Sequence, residues 1–162
     1  MIDQYNPKQV LEVMRKISLM SLAVSDENNQ PQSHMMLFAV DDDFTMYFAT
    51  SSGSNKHKSI SANNKIGMSV WSDKEMLIQI TATAEEIFDD EAIKAVNKLA
   101  DKATDIPNFW PPVLQIIKEG YAVFKTKPKT IRALDLTNNT ISVPTTMFTN
   151  IGAQLWLKKF SS

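Results

Sequence analysis

The longest regular pattern in this chain is an alternation of apolar and more polar side chains from Met76 to about Phe88. A period of two residues is typical of a β-strand with one buried face. Because such a strand is stable only within a sheet, the pattern indicates a fold built around β-structure. The residues predicted to face the core are Met76, Ile78, Ile80, Ala82 and Ala84.

Shorter apolar patterns and turn residues predict six further strands. They cover residues 19–25, 32–40, 44–50, 65–72, 121–126 and 130–136, with Lys127-Pro128-Lys129 separating the last two. The first three form a meander, and no period holds for long over 141–160. Six or seven antiparallel strands with inserted helices predict a mainly β fold, a small and strongly bent barrel, in which residues 1–162 form a single domain.

Helices are predicted between these strands. The first begins at Asn6-Pro7, an N-cap followed by proline, and the second spans residues 54–63. A third, capped by Asp89 or Asp90, is predicted to cover the sheet with a face made of Ile93, Val96, Leu99, Ala100 and Ala103. A fourth, over 113–118, ends at Gly120.

Composition excludes several classes of protein. No apolar run approaches the roughly 18 residues of a membrane span, and the amino terminus lacks a signal-peptide pattern, so a cytoplasmic protein is expected. There are no cysteines, and the two histidines form no metal-binding motif. A net charge of −1 argues against a nucleic-acid surface. With two arginines only, Arg15 and Arg132, phosphate binding would depend on lysine, hydroxyl groups and backbone.

The segment 48–58 is the strongest candidate for a binding site. A predicted strand ends there in a turn of small residues that leads into a helix containing Lys56. Free N–H groups and the positive end of the helix dipole favour an anion at such a junction, and phosphate is the natural ligand. Between Phe44 and Ser72 the chain has three lysines and His57 but no acid. The alternative is a polar turn with a Ser54 N-cap and a solvated lysine face.

The order of several short phrases resembles one known family. These phrases are Gln30-Pro31-Gln32-Ser33-His34, Phe48-Ala49-Thr50 with Gly53-Ser54-Asn55-Lys56, Asn63-Asn64-Lys65-Ile66, and Ala82-Thr83-Ala84-Glu85. Together they are similar to the pyridoxamine 5′-phosphate oxidase-like family of FMN-binding split barrels, over roughly residues 7–136. The general-stress and nitroimidazole-resistance-like branch is the better comparison.

The resemblance implies a homodimer with FMN in the groove between the protomers. His34, Met35 and Met36 would flank the flavin, Ala49 and Thr50 would form the strand end, and Ser54, Asn55 and Lys56 would hold the phosphate. Trp110 is either a structural wedge or interface anchor, or a ring that covers the flavin from the partner chain. The family's vitamin-oxidising enzymes have arginines where this chain has His34 and Asn55, and a carboxy-terminal substrate-binding arginine that has no match here. A glycine often found in the long strand is replaced by Ala82. Pyridoxine chemistry is therefore not expected.

The same resemblance predicts an oxidoreductase that passes electrons from a reduced nicotinamide to a small organic acceptor. The flavin would carry the redox chemistry, so no catalytic side chain is required. The alternatives are a non-catalytic flavin- or haem-binding stress protein and a dimer that has lost its cofactor; deazaflavin and haem are the alternative cofactors. His34 is a phosphate contact or a neutral spectator, and His57 is expected to be a solvated helix residue.

A dimer is also expected from the residues of the second strand. Its two faces are both apolar: Met35, Leu37 and Ala39 lie on one side, and Met36, Phe38 and Val40 on the other. A barrel of this size buries only one face of its strands internally, so the other face needs a cover, and a second copy of the chain is the expected one.

Overall fold

A computed structural model of the chain describes residues 6–73, 75–108, 120–137 and 149–151. The strands are β1 (Leu19–Ser25), β2 (Pro31–Leu37), β3 (Ala39–Val40), β4 (Met46–Ser51), β5 (Lys65–Ser72), β6 (Met76–Ile87), β7 (Tyr121–Asp135) and β8 (Thr149–Asn150). The helices are α1 (Pro7–Lys16), α2 (Asn55–Ala62) and α3 (Asp89–Ala103). None of the helices within these ranges combines the length and apolar composition of a membrane span.

The strands form one antiparallel sheet in the order β2-β1-β5-β6-β7-β4-β3, and β8 adds to β7. The two ends of this order, β2 and β3, are separated along the chain by Phe38 alone. Because β2 pairs with β1 and β3 pairs with β4, the sheet must curl until its two ends meet. The result is the bent antiparallel barrel that was predicted.

Phe38 divides the predicted strand 32–40 in two. Its N–H donates to the Ser18 carbonyl at 3.0 Å, which completes the pairing of β2 with β1, and its side chain is fully buried. The next two residues, Ala39 and Val40, form β3 and pair with β4. The predicted three-strand meander is therefore incomplete, because β2 pairs with β1 only and just the two residues of β3 pair with β4.

The core lies inside the curl. All five residues of β6 that were predicted to face inward are buried, and they join one cluster with the inner faces of β1, β4, β5 and β7. Helix α1 adds Val10 and Met14, both completely buried, to the same cluster. A capping box between Asn6 and Gln9 begins α1, as the Asn6-Pro7 signal predicted.

The predicted break at Lys127-Pro128-Lys129 is wrong, because residues 121–135 form one strand. Thr81 pairs with Thr130 and Ala82 with Pro128, so Lys129 is the extra residue of a β-bulge. Pro128 cannot donate a ladder hydrogen bond, and a bulge is one of the few places where a strand tolerates this. The 12-residue β6 runs beside both halves and holds them in line.

Helix α3 packs on the sheet, but its cap and part of its predicted face are wrong. Phe88 is the N-cap, without a side-chain hydrogen bond, and Asp89 is already helical. The buried residues are Ala92, Ala95 and Leu99, whereas Ile93 is 54% exposed. The small alanines allow a close approach to β4 and β7, which rotates Ile93 and Ala100 away from the sheet. The predicted helix 113–118 and most of the 141–160 segment lie outside the described residues.

Candidate functional site

The predicted anion site lies where β4 ends and α2 begins. The chain turns at Gly53, whose φ of +72° is the left-handed conformation that glycine adopts at little cost. Ser54 is the N-cap, and its hydroxyl accepts the His57 N–H at 3.2 Å. In the described part of the chain, the N–H groups of Asn55 and Lys56 have no acceptor. Two amides at the positive end of the helix are therefore available to a ligand.

Two hydroxyl groups lie beside these amides. Thr50 is buried at the end of β4, and its Oγ1 lies 3.2 Å from the Ser54 Oγ. The neighbouring Ala49 faces the other side of β4, where it packs in the cluster under α3. Of the two predicted strand-end residues, only Thr50 thus brings its side chain to the turn.

Lys56 is half-buried beside this turn, and burial lowers the pKa of its ammonium group. No carboxylate among the described residues lies within ion-pair distance of it. Removing a cation from water without an acidic partner is unfavourable. A bound anion would supply the missing partner.

His34 completes the cluster from β2. Burial and, after it, the positive charge of Lys56 lower the pKa of the imidazole, so the two side chains lie within electrostatic reach of each other. The His34 Nε2 is shielded from solvent and has no hydrogen-bond partner in the described ranges. The fold therefore brings a lysine and a histidine, 22 residues apart in the sequence, to one place (56 minus 34).

The remaining predicted site residues are more scattered. Met36 lies in the core, whereas Met35 on the opposite face of β2 is 66% exposed. Asn55 is exposed at the first position of α2. Trp110 lies outside the described residues.

His57 was expected to be solvated, and this prediction is wrong. Its Nδ1 accepts the Gly53 N–H at 2.9 Å, its Nε2 lies 3.2 Å from a Glu86 carboxylate oxygen, and its ring meets Phe124 edge-on. Because Nδ1 accepts a hydrogen bond and so carries no hydrogen, the ring hydrogen is on Nε2, which donates to Glu86. His57 therefore ties the turn to β6. The i to i+4 spacing from Gly53 is a weak local signal, but nothing local points to Glu86, 29 residues later.

Replacing His57 with Ala is expected to lower the free energy of unfolding by about 1–3 kcal/mol, because the Gly53 N–H and Glu86 both lose a partner. Thermal or urea unfolding would measure this change. Lys58→Ala, one residue along the same helix at an exposed position, is the control and should change stability by less than about 0.5 kcal/mol. Equal stabilities for the two variants would contradict the role of His57 in the turn.

A separate open cavity of about 760 Å³ lies over β4, β6 and β7 and shares no lining residue with the predicted site. Its Lys125 is paired with Glu91 at 3.1 Å and with Glu85 at 3.8 Å. Acids therefore neutralise this lysine already, and the cavity is less suited to phosphate than the cluster around Lys56.

Part of the outer side of the sheet is without charged side chains. We define the uncharged face as the following outward residues of four adjacent strands: Leu19, Ser21, Ala23, Ser33, Met35, Leu37, Gly67, Ser69, Trp71, Leu77, Gln79 and Thr81. Charged residues lie at its margin: Lys65 and Glu85 follow at one end of β5 and β6, and Arg132 of β7 donates to Gln79 at 2.8 Å. All are exposed or half-buried, and Trp71 is 64% exposed. Large uncharged surfaces on soluble domains are typical of interfaces.

Comparison with known proteins agrees with this architecture. The sequence model of the pyridoxamine 5′-phosphate oxidase family matches residues 7–135. The pyridoxine/pyridoxamine 5′-phosphate oxidase of Vibrio cholerae serotype O1 is 33% identical over 97 residues, which cover 57% of this chain and 46% of that enzyme. The chain thus matches less than half the length of this curated relative.

Three solved structures share the fold. A protein from Clostridium acetobutylicum related to general stress protein 26 has a TM-score of 0.61 at 16% identity, covering 83% of this chain and 91% of its own. An F420 reductase has a TM-score of 0.60 at 23% identity, and the match covers 74% of this chain and 93% of the reductase. A heme binding protein from Mycobacterium smegmatis has a TM-score of 0.69 at 9% identity, and the match covers 98% of this chain and 62% of that protein. At these identities the likeness shows the split-barrel fold alone.

Proposed function

Because this chain belongs to the pyridoxamine 5′-phosphate oxidase family, we propose that it binds FMN at the turn between β4 and α2. The observation that carries the proposal is the half-buried Lys56, a cation without an acidic partner in the described ranges, placed beside two free amides and the Thr50 and Ser54 hydroxyls. Together these groups form a site for one phosphate.

The flavin ring would lie along β2. In the described residues, β2 pairs on one edge only, with β1, and its other edge carries backbone N–H and C=O groups without strand partners. A flavin has donors and acceptors on one edge of its ring, so a free strand edge can pair with it. Met35 would contribute its backbone N–H and C=O to that edge. Successive residues of a strand direct these groups to opposite edges, and the Phe38 N–H donates to the Ser18 carbonyl, so the backbone groups of Met36 face β1.

The protein would act as a homodimer. The uncharged face extends from the strand that would flank the flavin, so a second copy of the chain placed on it would also enclose the ring. Such a cover would bury Met35 and Trp71, which are largely exposed in a single chain.

As an enzyme, the dimer would pass electrons from a reduced nicotinamide to a small organic acceptor. Bound flavin supplies the hydride and electron transfer in such reactions. The residues of this chain would hold the phosphate at Lys56, orient the ring along β2, and exclude water at the dimer interface. None of these roles requires a catalytic side chain.

We expect FMN, and not FAD, to bind, because the turn offers one phosphate-sized site and the sequence has no second glycine-rich motif for a pyrophosphate. The test is the visible spectrum of the freshly purified protein, followed by denaturation and chromatography of what is released. Release of FAD alone, or no retained flavin after incubation with excess FMN, would contradict the proposal.

The same preparation separates the alternatives. A haem spectrum would indicate the haem-binding alternative, and a stable dimer that retains no cofactor would indicate that the cofactor has been lost. FMN-loaded protein that oxidises no reduced nicotinamide with a quinone or nitroaromatic acceptor would indicate a non-catalytic flavin-binding protein.

A further inference from the structure

We propose that His34 is a second side-chain ligand of the bound phosphate and that it takes up a proton when the phosphate binds. This proposal rests on the FMN site proposed above. It goes beyond that site's location, because it predicts how FMN affinity changes with pH.

The position of His34 supports a direct contact. It lies on the inward side of β2, opposite Leu22 of β1, and α2 packs against β1, which brings the charge of Lys56 within electrostatic range of the imidazole. A ligand held by Lys56 would therefore lie near the ring as well. The His34 Nε2, without a partner in the described ranges, is a polar atom that such a ligand could satisfy.

Burial and the charge of Lys56 favour the neutral form of His34 while the site holds no anion. Burial and the Lys56 charge both lower the pKa of the imidazole, and β1 presents the apolar Leu22 opposite it. Lys56 is the only charged side chain in the described ranges that affects this pKa. Among the residues that the structure describes, no carboxylate compensates a second positive charge at this site.

A bound phosphate monoester would favour the charged form of His34 instead. The monoester carries a charge of about −1.5 to −2 near pH 7, which is more negative charge than one lysine can compensate. A nearby anion favours the charged form of histidine, so binding should raise the pKa of His34. The ring then gains a proton, and the charged imidazolium donates to the phosphate. FMN affinity should therefore increase as the pH falls through the His34 pKa of the complex, by at most roughly tenfold per pH unit.

Calorimetry would test the proton uptake directly. FMN is titrated at pH 7.5 into the parent protein, His34→Gln and His34→Arg, each in two phosphate-free buffers of different ionisation enthalpy. We expect a net uptake of up to one proton for the parent and near zero for both variants. Riboflavin, which lacks the phosphate, should bind without proton uptake. Any proton that the phosphate itself gains or loses on binding is also counted in His34→Gln. The difference in proton uptake between the parent and this variant therefore gives the contribution of His34.

Proton NMR of the parent provides a second measurement that needs no variant to fold. The chain has two histidines, so only His34 and His57 contribute imidazole signals. The His34 signal should titrate at higher pH with FMN bound than without it. Equal proton uptake by the parent and His34→Gln, or an unchanged His34 titration, would overturn the proposal while FMN binding stands. Absence of FMN binding to the parent at every pH would overturn both the proposed function and this inference.

Discussion

Replacing Lys56 with Ala is expected to weaken FMN binding roughly ten- to more than hundredfold, or about 1.5–3 kcal/mol, while the fold survives. The half-buried ammonium has no acidic partner in the described chain, so its charge is available to the phosphate. Its removal leaves the α2 amides, the Thr50 and Ser54 hydroxyls and His34 as ligands. Fluorescence quenching during FMN titration would measure the loss.

Lys58→Ala is the matched control for this prediction. Lys58 has the same charge and lies two residues along the same helix, but it is exposed. Its contribution should be small and should disappear at high salt, whereas the contribution of the half-buried Lys56 is screened much less. Equal affinity of Lys56→Ala and the parent would mean that hydroxyls and backbone donors hold the phosphate without the lysine.

If the proposed homodimer forms through the uncharged face, replacing Trp71 with Glu is expected to leave the protein monomeric at micromolar concentration and to abolish FMN retention. Trp71 pairs with Leu77, which pairs with Leu134 on the next strand, so the substitution places a charge in an apolar row. Loss of a buried tryptophan from an interface costs about 2 kcal/mol or more, and an unpaired buried carboxylate adds to that cost. Light scattering during size-exclusion chromatography would give the mass of each species.

Ile93→Glu is the control for the dimer prediction. Ile93 is also a largely exposed apolar residue, but it lies on α3 and outside the uncharged face. This variant should remain dimeric and retain flavin. A parent protein that is a stable, folded monomer at micromolar concentration would refute the dimer, and the proposed enclosure of the flavin with it.

Local patterns in the sequence predicted much of this fold correctly. The predicted ranges of β1 and β5 agree with the structure, and the inward face of β6 is as the alternation indicated. The helix start at Asn6-Pro7 and the Ser54 N-cap were also correct. These features depend on residues within a few positions of one another, because side-chain alternation and helix capping are short-range effects. Membership of the family follows from the order of such short phrases.

Only the tertiary structure decided the features that join distant segments. Residues 121–135 form one strand because β6 supports both halves across the Pro128 bulge, although proline next to lysines suggests a break when the segment is read alone. The His57 ring is held against the Gly53 turn by its contact with Glu86 of β6. His34 and Lys56 come within electrostatic range of each other because α2 packs against β1, the strand that pairs with β2. Each of these contacts depends on sheet closure and packing, which pair residues that the local sequence does not relate.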